Sequence, residues 1–281
     1  MSFVTSAGML KKAQEGHYAI GAFNVENLEM VQAVISAAEK KHAPVMIQTT
    51  PGTLKYAPPA AFAALVRALA EKASVPVAMH LDHGSSYELA LTCYEAGYTS
   101  LMIDGSLLPF EDNIALTKRV VAMADGIPVE AELGTVGGKE DTHSAGIQYT
   151  DPQQAAEFVS RTGITTFAPA IGTAHGVYKD TPRLDLDRLS EIRAAVPVPL
   201  VLHGTSGVPD DIVRECIQRG ICKVNYATDL RIAFTHAVRE AIEAQSAAID
   251  PKKILAPARE CVLEKVCHLI DVCGCAGKAE S

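Results

Sequence analysis

Residues Val77 to Ser86 read "VAMHLDHGSS". An apolar run ends in His80, Asp82 and His83, and a Gly-Ser-Ser turn follows. A short apolar run of this kind predicts a strand buried on both faces, the strand type of a parallel sheet. Imidazoles and a carboxylate at the end of a buried strand are costly unless they bind a metal, pair with each other or do chemistry.

Seven more runs have the same character: "YAIGAFNV", "PVMIQTT", "TSLMIDGS", "PVEAELG", "TTFAPAIG", "PLVLHGTSG" and "CKVNYAT". Each leads through a polar or Gly-rich loop into a longer amphipathic stretch, such as "NLEMVQAVISAAEKK" or "DPQQAAEFVSRTG". Several of these begin with Asp or Ser beside Pro and end at Gly, as helix starts and stops do. Eight strands alternating with eight helices predict an α/β fold, a (β/α)8 TIM barrel, with all of residues 1–281 as one domain. A doubly wound open sheet is the alternative, and the even spacing of the strands favours closure. Two segments break the rhythm. Gly134 to Thr150, "GTVGGKEDTHSAGIQYT", reads as a long loop of the kind used for lids. The C-terminal "DPKKILAPARECVLEKVCHLIDVCGCAGKAES" predicts an extra helix beyond the eighth unit.

Composition narrows the function. A hydrophobic fraction of 48% in 281 residues supplies a large core. A net charge of −8 argues against a nucleic-acid surface, which needs a basic stripe. No apolar run approaches the roughly 18–20 residues of a membrane span. The first residues lack a basic start followed by an apolar core, so no secretory leader is expected. Seven scattered cysteines read as reduced thiols, and a cytoplasmic location is expected. Cys261, Cys267, Cys273 and Cys275 contain no CxxC pair and do not predict a structural zinc site.

In such a barrel the site lies at the C-terminal ends of the strands. The polar residues expected there are Asn24, Gln48, Thr49, Asp82, His83, Asp104, Glu132, His175, His203 and Asn225. His83, His175 and His203 are each followed by Gly and come from three strand ends. Three imidazoles with an open fourth position form a catalytic zinc arrangement. Asp82, beside them, is placed for general acid–base work, with support of a histidine ligand as the alternative. His80 reads as structural, as do His17, His42, His143, His236 and His268 on helices or loops. "HGTSG" (His203–Gly207) and "NYAT" (Asn225–Thr228) have the small residues of a phosphate cradle at the usual place in this architecture.

"HLDHG", "EAELGTVGGKED", "AIGTAHGVY", "LHGTSGVP" and "KVNYAT", in this order, resemble the class II, zinc-dependent ketose-bisphosphate aldolases, and the likeness extends to the C-terminal "DVCGCAGK". The resemblance implies Zn2+ on His83, His175 and His203, with Glu132 orienting a histidine or holding the metal in a resting position and Asp104 as a further candidate ligand. It implies that Asp82 moves the proton at the substrate C4 hydroxyl and that Glu140 is the base for the ketone half. Gly176, Gly204, Thr205, Ser206, Asn225, Tyr226, Ala227 and Thr228 would hold the ketone-side phosphate, with Lys179 assisting and with Asn225 also catalytic beside the enediolate, and Asn24 and Gln48 would contact substrate. A monovalent cation near that phosphate is also in keeping with the family. Arg259 resembles a residue lent across a dimer interface to the distal phosphate, which implies a homodimer or homotetramer.

Two features separate the branches of the family. "TPGTLKY", "MIDGS", "AIGTAHG" and "CGCAGK" resemble the tagatose-bisphosphate branch, whereas "GTVGGKED" and "APARE" resemble the fructose-bisphosphate branch. D-tagatose 1,6-bisphosphate is favoured, and fructose 1,6-bisphosphate stays open. "NYAT" carries Tyr226 where the resembling chains have a smaller residue, so Tyr226 either narrows the phosphate pocket or packs outward. A related aldolase with a different aldehyde half is a further reading, and a metal-dependent hydrolase would leave the acidic loop and the paired phosphate turns without a role. A non-catalytic aldolase-like subunit would have lost a ligand histidine or the carboxylate, and none is lost. The tagatose branch leaves room for a stabilising partner subunit.

Overall fold

The computed structural model describes residues 2–140, 143–145, 148–178 and 182–279, with backbone alone at 138–140 and 143–145. Helix α1 (Ser6–Gly16) comes first. The chain then runs through β1 (Ile20–Asn24), α2 (Leu28–Lys41), β2 (Val45–Thr49), α3 (Pro51–Tyr56), α4 (Pro59–Ala70), β3 (Val77–Gly84), α5 (Tyr87–Ala96), β4 (Ser100–Ile103), α6 (Phe110–Met123) and β5 (Val129–Leu133). A small hairpin, β6 (Gly137–Glu140) and β7 (His143–Ala145), precedes α7 (Pro152–Thr162), β8 (Thr166–Pro169) and the short β9 (Ala174–His175). The last elements are α8 (Leu186–Ala195), β10 (Leu200–Leu202), α9 (Asp210–Gln218), β11 (Ile221–Tyr226), α10 (Thr228–Ala244) and α11 (Pro251–Cys273).

Eight parallel strands close into a barrel in the order β1-β11-β10-β8-β5-β4-β3-β2. Closure is explicit at β1, which pairs with β2 on one side and β11 on the other, so the open-sheet alternative is excluded. Every residue of these eight strands is buried, because side chains fill the barrel on one face and helices cover the other. Local chemistry sets the helix ends. Ser86 and Asp151 accept hydrogen bonds from first-turn amides of α5 and α7, and Gly97 and Gly163 end those helices in the left-handed conformation.

The chain start ties down the opposite end of the barrel. Val4 N donates to the carbonyl of Val77, the first residue of β3, and Val77 N donates to Ser2. The extra C-terminal helix is present as α11, packed against α10 and α2. No helix among the described residues is long and apolar enough to cross a membrane. All seven cysteines are free thiols.

One expectation is corrected. The segment from Gly134 to Thr150 is not a plain loop, because β6 and β7 pair antiparallel and β6 also pairs parallel with β9. Gly138 lies opposite His175, so the hairpin is built directly on the strand that carries this imidazole.

Candidate active site

Asp82 and His83 are adjacent, and in a regular strand adjacent side chains face opposite ways. Here His83 has φ of 48°, in the left-handed region, and the β3–β4 register shifts between Leu81 and Gly84. This irregularity turns both side chains into the barrel mouth. A left-handed residue other than Gly costs on the order of 1–3 kcal/mol and persists only where its surroundings over-determine it. The His83 Nδ1–Asp104 Oδ2 bond of 2.9 Å is one such restraint. Gly84 is another, since a Cβ there would collide with the backbone oxygen of Met102 on β4.

The three glycine-flanked histidines do converge. One nitrogen from each of His83, His175 and His203 lies within 4.8 Å of the others. His203 Nδ1 is 2.8 Å from His83 Nε2, and the His83 ring sits edge-on to the other two at 4.6 and 4.7 Å. The far nitrogens are held by carboxylates: His83 Nδ1 by Asp104 and His203 Nε2 by Glu130 Oε1 at 2.8 Å. Such partners decide which nitrogen faces the centre. Glu132 completes the cluster at 3.7 Å from His203 Nδ1, and its Oε2 is buried with no hydrogen-bond partner. A second grouping, His83 with Asp104 and Glu132, is equally tight. Convergent imidazoles beside an unpartnered buried carboxylate oxygen fit a borderline divalent cation such as zinc.

The electrostatics of the cluster's own groups follow from burial and from its charged neighbours. His83 is held well above its ordinary range: burial works against its charge, but Asp82 and the hydrogen bond that His83 donates to Asp104 outweigh it. His175 and His203 are pushed well below theirs, first by burial and then by the charge of His83. Glu132 is pushed well up by burial and by neighbouring Asp104. Burial would raise Asp82 as well, but His83, His203 and Lys223, with the Asn24 hydrogen bond, hold it below its usual value.

Asp82 is gripped on both oxygens. Asn24 Nδ2 donates to Oδ2 and Asn225 Nδ2 to Oδ1, each at 2.9 Å. Gln48 Nε2 donates to Asn24 Oδ1 at 2.7 Å and stands behind it rather than lining the pocket. Asn225 Oδ1 is a buried acceptor without a partner. The pocket is lined by Asn24, Asp82, His83 and His175, by Gly176 and the Gly204–Ser206 turn, and by the Asn225–Thr228 segment without Tyr226. Gly204 has φ of 63°, and a Cβ there would run into the Ala174 backbone at 2.8 Å. Ser206 Oγ accepts from Asp229 N at 3.2 Å, which ties this turn to the first turn of α10.

One further expected position differs. The Tyr226 side chain is corrected out of the pocket: it stacks on Phe23 at 5.8 Å and points its hydroxyl at Cys273 Sγ, 3.8 Å away in the helix layer. Alternation from the inward Asn225 already signals this. Arg259 is exposed on α11, where Nη1 donates to Gln32 Oε1 at 3.1 Å, outside this pocket. Lys179 and the side chain of Glu140 lie outside the described residues. The bland histidines behave as surface groups where described: His17 and His42 end helices, and His236 and His268 pair with Glu240 and Asp210.

Two residues were missed in the sequence. Glu130 sits two positions before Glu132 on β5, so strand period alone puts both on one face. Tyr178 links two site loops, since its hydroxyl accepts from Ala174 N at 2.6 Å and donates to the Gly204 carbonyl at 2.7 Å. Tyr178→Phe removes both bonds and is expected to cost about 1–3 kcal/mol, read as a lower midpoint of thermal unfolding. An unchanged midpoint would show that the loops are joined by other contacts.

The family model described as "Fructose-bisphosphate aldolase class-II" matches residues 4–278. The structure is similar to that of the YdjI aldolase from Escherichia coli K12, at 39% identity and a TM-score of 0.88, over 99% of this chain and 100% of that one. It is also similar to fructose-bisphosphate aldolase from Campylobacter jejuni, at 24% identity and a TM-score of 0.83, over 99% and 97% of the two chains. The latter likeness speaks for the fold alone.

Proposed function

The chain belongs to the class-II fructose-bisphosphate aldolase family and is an aldolase, a carbon–carbon lyase, and from this premise we propose that it cleaves a ketose 1,6-bisphosphate reversibly between C3 and C4. The favoured substrate is D-tagatose 1,6-bisphosphate, giving dihydroxyacetone phosphate and glyceraldehyde 3-phosphate. The observation that carries the reading is the convergence of three imidazole nitrogens, from His83, His175 and His203, at a pocket lined by the first two and by Asp82.

His83, His175 and His203 would hold Zn2+, with Glu132 and Asp104 as the alternative ligands beside His83. The cation, when bound, supplies electrophilic stabilisation of negative charge on the ketone half. Asp82 takes the proton from the C4 hydroxyl as the C3–C4 bond breaks, so C4 becomes the aldehyde and the electron pair stays on C3. Its two asparagine donors aim the carboxylate, and against the effect of burial the His83 charge first holds it below its usual range for this task. Glu140, on the hairpin beside His175, enters cleavage as the carboxylic acid and gives its proton to C3, and in the reverse direction the resulting carboxylate is the base that takes it back. Backbone N–H groups of the Gly204–Ser206 and Ala227–Thr228 segments, with Gly176, suit the ketone-side phosphate, because the start of α10 adds its dipole there. Lys179 assists, and a monovalent cation can share that phosphate. Arg259 serves the distal phosphate of a second copy, as homodimer or homotetramer.

Cleavage of tagatose and fructose 1,6-bisphosphates, measured side by side through dihydroxyacetone phosphate, tests this reading. A chelator is expected to lower turnover by about 10³-fold, since electrophilic stabilisation is worth several kcal/mol. The ratio of kcat/KM names the sugar. Chelator-insensitive cleavage would remove the metal from the reading, and a protein inactive on both sugars would remove the substrate.

A further inference from the structure

Beneath the histidine cluster lies a set of charged and polar groups that the proposed reaction does not use. Lys223 and His80 are fully buried, and Glu130 and Ser100 are 1% and 2% exposed. Barrel interiors are usually filled by branched apolar side chains, and an ammonium and a carboxylate there each lose their water. Three strands each place one member of this floor two positions before a residue of the mouth: Lys223 before Asn225, Glu130 before Glu132 and His80 before Asp82.

The bonds form a directed chain. Lys223 Nζ donates to Glu130 Oε2 at 2.9 Å and lies 3.5 Å from His80 Nε2. His80 Nδ1 is 2.7 Å from Ser100 Oγ, which accepts from Ser6 Oγ at 3.0 Å. The other carboxylate oxygen, Glu130 Oε1, meets His203 Nε2 at 2.8 Å. Glu130 can therefore accept only if His203 carries its proton on Nε2, and that leaves Nδ1 unprotonated, its lone pair facing His83 Nε2.

We propose that Lys223 is a positioning residue for the metal-binding imidazole of His203, acting through Glu130. Its ammonium pins one carboxylate oxygen so that the other meets the ring in the orientation that offers Nδ1 to the metal. His80, held through Ser100 from α1, keeps the ammonium in place. A buried pair is a weak source of stability, because its desolvation offsets the attraction, whereas a carboxylate behind a metal-bound histidine raises its strength as a ligand.

The inference rests on the three-histidine reading, and one titration separates the two. Metal-stripped protein is titrated with Zn2+ against a chromophoric chelator, and with Co2+ to record its absorption bands. Lys223→Met is expected to weaken metal binding about 10–100-fold. The double variant Lys223→Met with Glu130→Gln leaves no charge buried alone, so it keeps the fold if the single variant does not. It is expected to stay about 10-fold weaker, with shifted Co2+ bands. Wild-type affinity and wild-type bands in the double variant would overturn the inference and make the pair merely structural. A wild-type protein that takes up no metal would instead overturn the three-histidine reading itself.

Discussion

Asp82→Ala is expected to keep the barrel and its metal and to lower turnover by roughly 10³-fold, within the range for losing a general acid or base. The carboxylate is 3% exposed and both of its oxygens are engaged, by Asn24 and Asn225. Removing it leaves two amide donors without an acceptor, at about 1–3 kcal/mol each, which a closed barrel tolerates. It does not remove a member of either metal grouping, so metal content should be unchanged. Loss of activity would then trace to the missing proton acceptor at the C4 hydroxyl. Turnover on both sugars, metal content and circular dichroism check this together. Near-normal turnover would show that Asp82 supports the histidines and moves no proton.

His203→Ala is expected to fail differently. Its ring contacts His83 at 2.8 Å, Glu130 at 2.8 Å and Glu132 at 3.7 Å, so it is the hub of the cluster. Without it two imidazoles remain, and Glu130 keeps only its bond to Lys223 and its contact with His80. Metal retained after desalting should fall to near zero, and turnover should fall by on the order of 10³-fold or more. The contrast with Asp82→Ala carries the argument, because one variant loses metal and the other does not. Metal retained in full by His203→Ala would place the cation at His83, Asp104 and Glu132 instead.

The regular part of this molecule is written in its local pattern. Apolar runs such as those at Val45–Thr49 and Ile221–Tyr226 can only be buried on both faces, and eight of them closed as expected. Strand ends could then be read as site positions, and Asn24, Asp82, His83, His175 and Asn225 do line one pocket. The two-residue period also selects the outward alternative for Tyr226 and puts Glu130 inward beside Glu132.

What the sequence determined by itself is therefore the barrel strands and the polar residues at their ends, since burial period and glycine-flanked termini are local, whereas closure rests on the pairing of β1 with β11. Only the tertiary structure decided that Asp82 and His83 share one face, because the left-handed turn at His83 depends on β4 pressing against Gly84. Only it decided that Gly134–Thr150 carries a hairpin docked on β9, and that Glu130, Lys223 and His80 meet beneath the histidines. These partners lie far apart along the chain, and the energy that selects them arises only when the barrel closes and shuts out water.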